Sequence, residues 1–160
     1  MSTEPVRIGV CGGPYGNPYA LQAFVDDARA RGCGQLFCLG DLGGFGAEVD
    51  ALWPILTGND VTCVAGNYDV AIARADPDCG CGYRDPRDNA YAQLTYDHTL
   101  AHTSRTFAAW MGQLPTERRY SSAASTCTWC TARRWRSTTS GGSRYRLPST
   151  APGPPPAAPR

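Results

Sequence analysis

Three short apolar runs, residues 7–11 (RIGVC), 35–40 (QLFCLG) and 61–66 (VTCVAG), each empty into a loop rich in Gly, Asn or Asp, and helical patterns stand between them. Strands that alternate with helices are joined by crossovers and therefore pair in parallel, which commits the chain to an α/β sheet. In such sheets ligand sites collect at the carboxyl ends of the strands, where these three loops must gather. The first helix is the best marked. Asn17 is a good N-cap, Pro18 suits the first helical position, Leu21, Phe24, Val25 and Ala28 recur at helical spacing, and Gly32 ends the run. The spacing predicts further helices over residues 48–56, 89–101 and 103–113, the last with Phe107, Trp110, Met111 and Leu114 on one face. Between them, residues 76–88 (DPDCGCGYRDPRD) read as a polar loop punctuated by Pro and Gly.

Charge divides the chain more sharply than hydropathy does. All 14 acidic residues lie between Glu4 and Glu117, beside only seven of the 15 arginines, so residues 1–117 carry net −7 and residues 118–160 carry +8. The formal charge of +1 is a cancellation between unlike segments and indicates no partner. With 42% hydrophobic residues overall, the chain can build one core, and residues 1–117 read as one partial α/β domain. No apolar run approaches the roughly 20 residues that span a bilayer, and the start lacks a basic-then-apolar signal pattern, so a cytoplasmic protein without a membrane partner is expected. The eight cysteines are scattered, several in predicted strands, which suits reduced, packed thiols better than a disulfide framework.

The strand-end loops carry three ordered motifs: GGPYGN (residues 12–17), GDLGG (residues 40–44) and GNYD (residues 66–69). In order, spacing and strand placement, over residues 7–117, they resemble the first three blocks of the calcineurin-like metallophosphoesterases: Asp-x-His-Gly-Asn, Gly-Asp-x-x and Gly-Asn-His-Asp/Glu. The resemblance implies an αββα sandwich in which two divalent metals (Mn, Fe, Zn or Mg) clamp a phosphoester and activate a hydroxide for in-line attack. It places Asp41 at the bridging carboxylate and Asn67 at the amide ligand. The first block departs from the pattern, with Gly13 at the aspartate position and Tyr15 at the histidine position. In the third, Tyr68 stands where the family has the histidine that contacts phosphate and acts as general acid, and Asp69 remains as that residue's partner. Tyr68 and Asp69 are thus the catalytic candidates, Tyr15, Asn17 and Asn67 the phosphate- or substrate-binding candidates, and Asp41 and Asn67 the metal candidates. A phenol with a pKa of about 10 is a weak proton donor at neutral pH, and Gly13 has no ligand to offer. The chain is therefore expected to be an inactive or very weak phosphoester hydrolase, with a non-catalytic phosphate- or nucleotide-binding module as the alternative.

Each position also has a plainer explanation. Asp41 can cap the turn after its strand, Asn67 can serve left-handed backbone geometry, and Tyr15 and Tyr68 can pack on each other. Cys79 and Cys81 form a lone Cys-x-Cys, short of the second pair a zinc site needs. His98 and His102 are spaced as in zinc-protease helices, but Thr99 stands where the glutamate should follow, so surface or capping roles are expected.

Residues 126–146 (TCTWCTARRWRSTTSGGSRYR) hold a Cys-x-x-Cys pair, five arginines, three aromatics and no acid. A basic, aromatic segment admits nucleic-acid binding, but one cysteine pair makes no zinc knuckle. The family should continue here with strands and a His-Gly-Ser-Pro loop. Regrouped one base earlier, codons allowed for this stretch spell Val-His-Gly-Ser-Pro, and Trp129 followed by Cys130 forces the valine. We therefore read residues 118–160 as a basic, Pro-rich tail out of the ancestral frame and disordered. The fold expected is an incomplete calcineurin-like phosphoesterase fold that lacks its second half, leaving a sheet with an open edge and an uncovered apolar face.

Overall fold

A computed structural model describes residues 7–121 and 126–130. Strands β1 (Ile8–Cys11), β2 (Gln35–Cys38) and β3 (Val61–Cys63) form a parallel sheet in the order β1-β2-β3. The register sets Cys11 beside Cys38 and Cys38 beside Cys63, so the three strands end level.

Helix α1 (Pro18–Ala30) follows β1, with Asn17 Oδ1 accepting from Ala20 N at 3.0 Å and Pro18 in the first turn, as the sequence predicts. Its buried stripe of Leu21, Val25 and Ala28 lies on the sheet, and Gly9 makes that approach possible. A Cβ on Gly9 would stand 2.9 Å from Leu36 Cδ2 and 3.0 Å from Ala28 Cβ. After β2 the chain makes a 3-10 turn, Val49–Ala51, and then α2 (Leu52–Gly58). The sequence predicts one helix over residues 48–56. The α-helical part begins later because Pro54, which donates no N–H, fits only in a first turn.

Helix α3 (Asn67–Arg74) is not anticipated by the sequence reading, which ends the strand-end loop at residue 69. Its signal is local: Asp69 at the third helical position accepts from Gly66 N, an N-terminal cap that precedes the helix-forming run Ala71–Arg74. Helix α4 (Pro86–His102) starts three residues before the predicted boundary, because Asp85 caps it through Arg87 N and Pro86 takes the first position. Helix α5 (Arg105–Met111) begins after Ser104, whose Oγ accepts from Phe107 N at 3.3 Å. Phe107 and Met111 are buried, Trp110 and Leu114 partly so, which bears out the predicted face. Trp53 of α2 stacks on Phe107 at 5.7 Å, so helices from both halves of the domain join one core.

Two expectations are corrected. Beyond residue 117 the backbone does not go straight into a structureless tail: β4 (Glu117–Ser121) pairs antiparallel with β5 (Thr126–Cys130). Alternating Thr, Cys and Trp favour a strand, and the pairing satisfies backbone groups that a coil would leave to water. Tyr120 meets Phe37 edge-on at 5.6 Å, and Phe37 is buried, so the sheet face is covered there. Residues 131–160, the greater part of the predicted tail, lie outside the described residues. The second correction concerns the thiols. Cys79 and Cys81 are joined in a disulfide, which removes the pair as thiolate metal ligands, while Cys11, Cys33, Cys38 and Cys63 are free.

Candidate functional site

The level ends of β1, β2 and β3 deliver the three motif loops to one edge of the sheet, and backbone hydrogen bonds sew them together. Tyr15 N donates to Asp41 O at 3.1 Å, Gly16 N to Leu42 O at 2.6 Å and Gly46 N to Tyr15 O at 2.6 Å. Tyr15 (φ 48°) and Asp41 (φ 56°) both adopt the left-handed backbone that L-residues rarely take, and each does so where its loop turns from strand into seam.

Asp69 joins the second loop to the third. It is fully buried, and its carboxylate accepts Leu42 N on Oδ1 at 2.9 Å and Asp41 N and Gly66 N on Oδ2 at 2.9 and 2.7 Å. The sequence assigns Asp69 a catalytic role as partner of Tyr68. Its oxygens instead hold backbone amides, and Tyr68 turns elsewhere. The Tyr68 phenol is buried against α4, 3.2 Å from Thr95 Oγ1 and 3.5 Å from Ala92 O, with its ring edge-on to Tyr96. Among the described hydrogen bonds, none joins Tyr68 to Asp69 or turns the phenol toward Asp41.

Burial lifts the Asp69 carboxyl to about 7 against the opposing pull of the Gly66 and Leu42 amides, and the nearby Asp41 charge adds to the rise. An unfolded aspartate titrates at about 3.9, so the folded chain keeps a proton that the unfolded chain has released between those values. Stability from this group is present in full below about pH 4 and is lost as pH rises through about 7. We expect the urea midpoint to fall between about pH 5 and about pH 8; a midpoint that rises over this range contradicts the assignment.

Asp41 keeps its carboxylate at the start of α3. It is partly buried, Oδ1 lies 3.4 Å from Tyr68 N, and burial raises its pKa against the Tyr68 and Asn67 amides. Asn67 donates Nδ2 to Cys79 O at 2.7 Å and to Cys81 Sγ at 3.5 Å, so the disulfide loop fixes the amide plane. That orientation commits the nitrogen and leaves Oδ1 as the atom able to ligate a cation. Asn17 is committed to capping α1. Tyr15 is 37% exposed, its ring tilted on Phe45 at 5.5 Å, and its pKa is raised by partial burial and then by the Asp41 charge.

A hard dication prefers six or more oxygen donors, or several anionic and imidazole groups. Asp41 and Asn67 Oδ1 offer two. The Tyr15 ring fills the space from which a further carboxylate would reach in: a Cβ on Gly13 would stand 2.8 Å from Tyr15 Cζ and 2.9 Å from Asp41 Cβ. Among the described residues no three His, Cys, Asp or Glu side chains group around a common metal position. These residues do not fit a two-metal centre. A cleft of about 570 Å³ opens beside Asn67, but Asp76 and Asp78 line it and repel an anionic ligand that arrives without a cation.

The sequence reading notes Thr99 only as the residue that is not a glutamate after His98. Buried on α4, its Oγ1 accepts Gly44 N at 3.1 Å and lies 2.8 Å from Thr95 O, anchoring the β2 loop to the helix. His98 and His102 are exposed and stacked at 4.1 Å, with His102 Nδ1 2.8 Å from His98 O, in keeping with a surface role. Among the described residues no helix is long and apolar enough to cross a membrane.

No protein-family model matches the chain. An uncharacterized protein of Methanocaldococcus jannaschii is 32% identical over 65 residues, 41% of this chain and 27% of that protein. Among solved structures, a metallophosphoesterase from Sphaerobacter thermophilus aligns with a TM-score of 0.53 at 22% identity, over 77% of this chain and 46% of its own. A hypothetical protein from Pyrococcus horikoshii aligns with a TM-score of 0.55 at 19% identity, over 72% and 50%. The likeness shows the fold: a mixed α/β unit with a small parallel sheet and five helices, built as part of the architecture of these proteins. The chain spans about half the length of these structures and about a quarter of the curated relative.

Proposed function

We propose that this chain is a metallophosphoesterase-type protein, of the calcineurin-like class, whose site keeps the scaffold of metal-assisted phosphoester hydrolysis but few of its ligands. One observation carries the reading: Asp41, in left-handed geometry, presents its carboxylate at the start of α3 beside Asn67, and both belong to motifs at the ends of adjacent parallel strands. A Mn, Fe, Zn or Mg ion would be held by Asp41 and Asn67 Oδ1 with water in its other positions. Such an ion supplies Lewis-acid character toward a phosphoester. With Gly13 and Tyr15 in the first block, and the Tyr68 phenol buried on α4, hydrolysis of a phosphorylated small molecule is absent or very weak.

Calorimetric titration with Mn(II) tests this. The expected result is weak binding, with a Kd of about 1 mM or tighter, lost in Asp41→Ala by at least about tenfold and without appreciable phosphoester turnover. Metal binding that survives Asp41→Ala overturns the assignment. No metal effect, together with protection by phosphate or a nucleotide, favours a non-catalytic phosphate-binding module instead. The shifted-frame reading of the basic tail, which falls mostly outside the described residues, is tested by the nucleotide sequence of codons 118–146. A cytoplasmic location belongs to the same proposal.

A further inference from the structure

Cys11, Cys38 and Cys63 form a row. Each is the register partner of the next, so the three side chains leave the same face of the sheet at the carboxyl ends of adjacent strands. Cys33 is also free but lies outside the row. Cys38 is central and 1% exposed, with Sγ 3.7 Å from Gly12 O, and Cys63 is also buried. Cys38 also shares side-chain hydrogen bonds with both flanking thiols, and these, with the Gly40 backbone, hold its pKa below the ordinary thiol value. The flanking thiols are pushed up, by their bonds to Cys38 and then by burial.

The geometry discriminates among the things three thiols can do. Neighbouring strands lie about 4.8 Å apart, so the outer two sulfurs cannot close with the middle one around a tetrahedral ion. Accordingly, no three such side chains group around a point among the described residues. A disulfide needs Cβ atoms about 3.8 Å apart, closer than side-by-side residues of parallel strands stand. A soft monovalent ion needs only two facing sulfurs, and each pair of register neighbours in the row supplies two. Thiolates select soft cations over the hard ions that the oxygens of Asp41 and Asn67 prefer.

We propose that the row of Cys11, Cys38 and Cys63 is a binding site for a soft monovalent cation such as Cu(I), held in two-coordinate geometry by Cys38 and one of its two neighbours. Both thiols bind as thiolates, and the two protons released go to solvent. Because Cys38 is common to both possible pairs, either neighbour is dispensable and both together are not.

The test is competition for Cu(I) against a chromophoric Cu(I) chelator. It uses the full chain, reduced and under anaerobic conditions, with Cys79→Ser, Cys81→Ser, Cys127→Ser and Cys130→Ser in place to silence the other pairs. One Cu(I) per chain is expected. Cys33→Ser leaves it unchanged, and Cys11→Ser and Cys63→Ser singly weaken it by no more than about tenfold. Cys38→Ser, and separately the double variant Cys11→Ser with Cys63→Ser, lower affinity by at least about 100-fold. The double variant keeps Cys38, so with native circular dichroism it decides the matter even if Cys38→Ser fails to fold. No Cu(I) retained by the parent, full retention in the double variant, or loss in Cys33→Ser each overturns the proposal.

Discussion

Replacing Asp69 by alanine is expected to lower stability by about 3–5 kcal/mol, the largest single effect in the domain. Three backbone amides, Leu42, Asp41 and Gly66, lose their acceptor at once, and at least two of them sit where water does not reach. A buried donor left unsatisfied costs about 1–3 kcal/mol, and relaxation of the loops recovers part of the total. Asparagine is the sharper test. It has nearly the same shape, but one oxygen becomes an NH₂ that faces a donor instead of accepting from it. Chemical denaturation should show Asp69→Asn nearly as damaging as alanine. If Asp69→Asn lost less than about 1 kcal/mol, the carboxylate would not be what binds the loops.

Gly40→Ala should be almost as severe, on the order of 3 kcal/mol or more, for a different reason. Gly40 has φ +84°, so a side chain there is strained before it meets anything. A Cβ would then collide with backbone: Gly66 N closest, Val64 O at 2.6 Å and Ala65 C at 2.8 Å. Backbone cannot swing aside as a side chain can, so β3 and the start of α3 must shift, and Asp41 with them. Gly12→Ala, where a Cβ meets nothing within 4 Å, should change the thermal midpoint little. Equal losses in the two variants would mean that the close crossing of these loops is not what the fold depends on.

The parallel order of the sheet and the cap of α1 were legible because each rests on a local rule: an apolar run before a Gly-rich loop, or an Asn before a Pro. The placing of Asp41 and Asn67 at strand ends was legible for the same reason, since motif and strand are contiguous, whereas the adjacency of those strands came from the structure. What could not be read was orientation. Tyr68 and Asp69 are neighbours in sequence, but a helix starts between Gly66 and Asn67 and turns one side chain into α4 and the other under the β2 loop. Nothing local to Gly-Asn-Tyr-Asp encodes that divergence; it depends on Thr95 and Tyr96, which arrive some 30 residues later in the chain. Thr99 was opaque for the same reason, because its partner Gly44 lies 55 residues away. The pairing of β4 with β5 was missed because the alternation is confined to the short Thr126–Cys130 run, and its partner Glu117–Ser121 is mostly polar.

The seam that joins the three strand-end loops has a consequence for how such a site can change over time. In many metal centres the ion is the keystone: remove it and the arch of loops collapses. Here the keystone is a carboxyl group, Asp69, locked to amides of two different loops. The hydrogen bonds of the seam run between protein groups, so exchange of the Tyr15 side chain, whose ring is not among them, is expected to leave the loops joined.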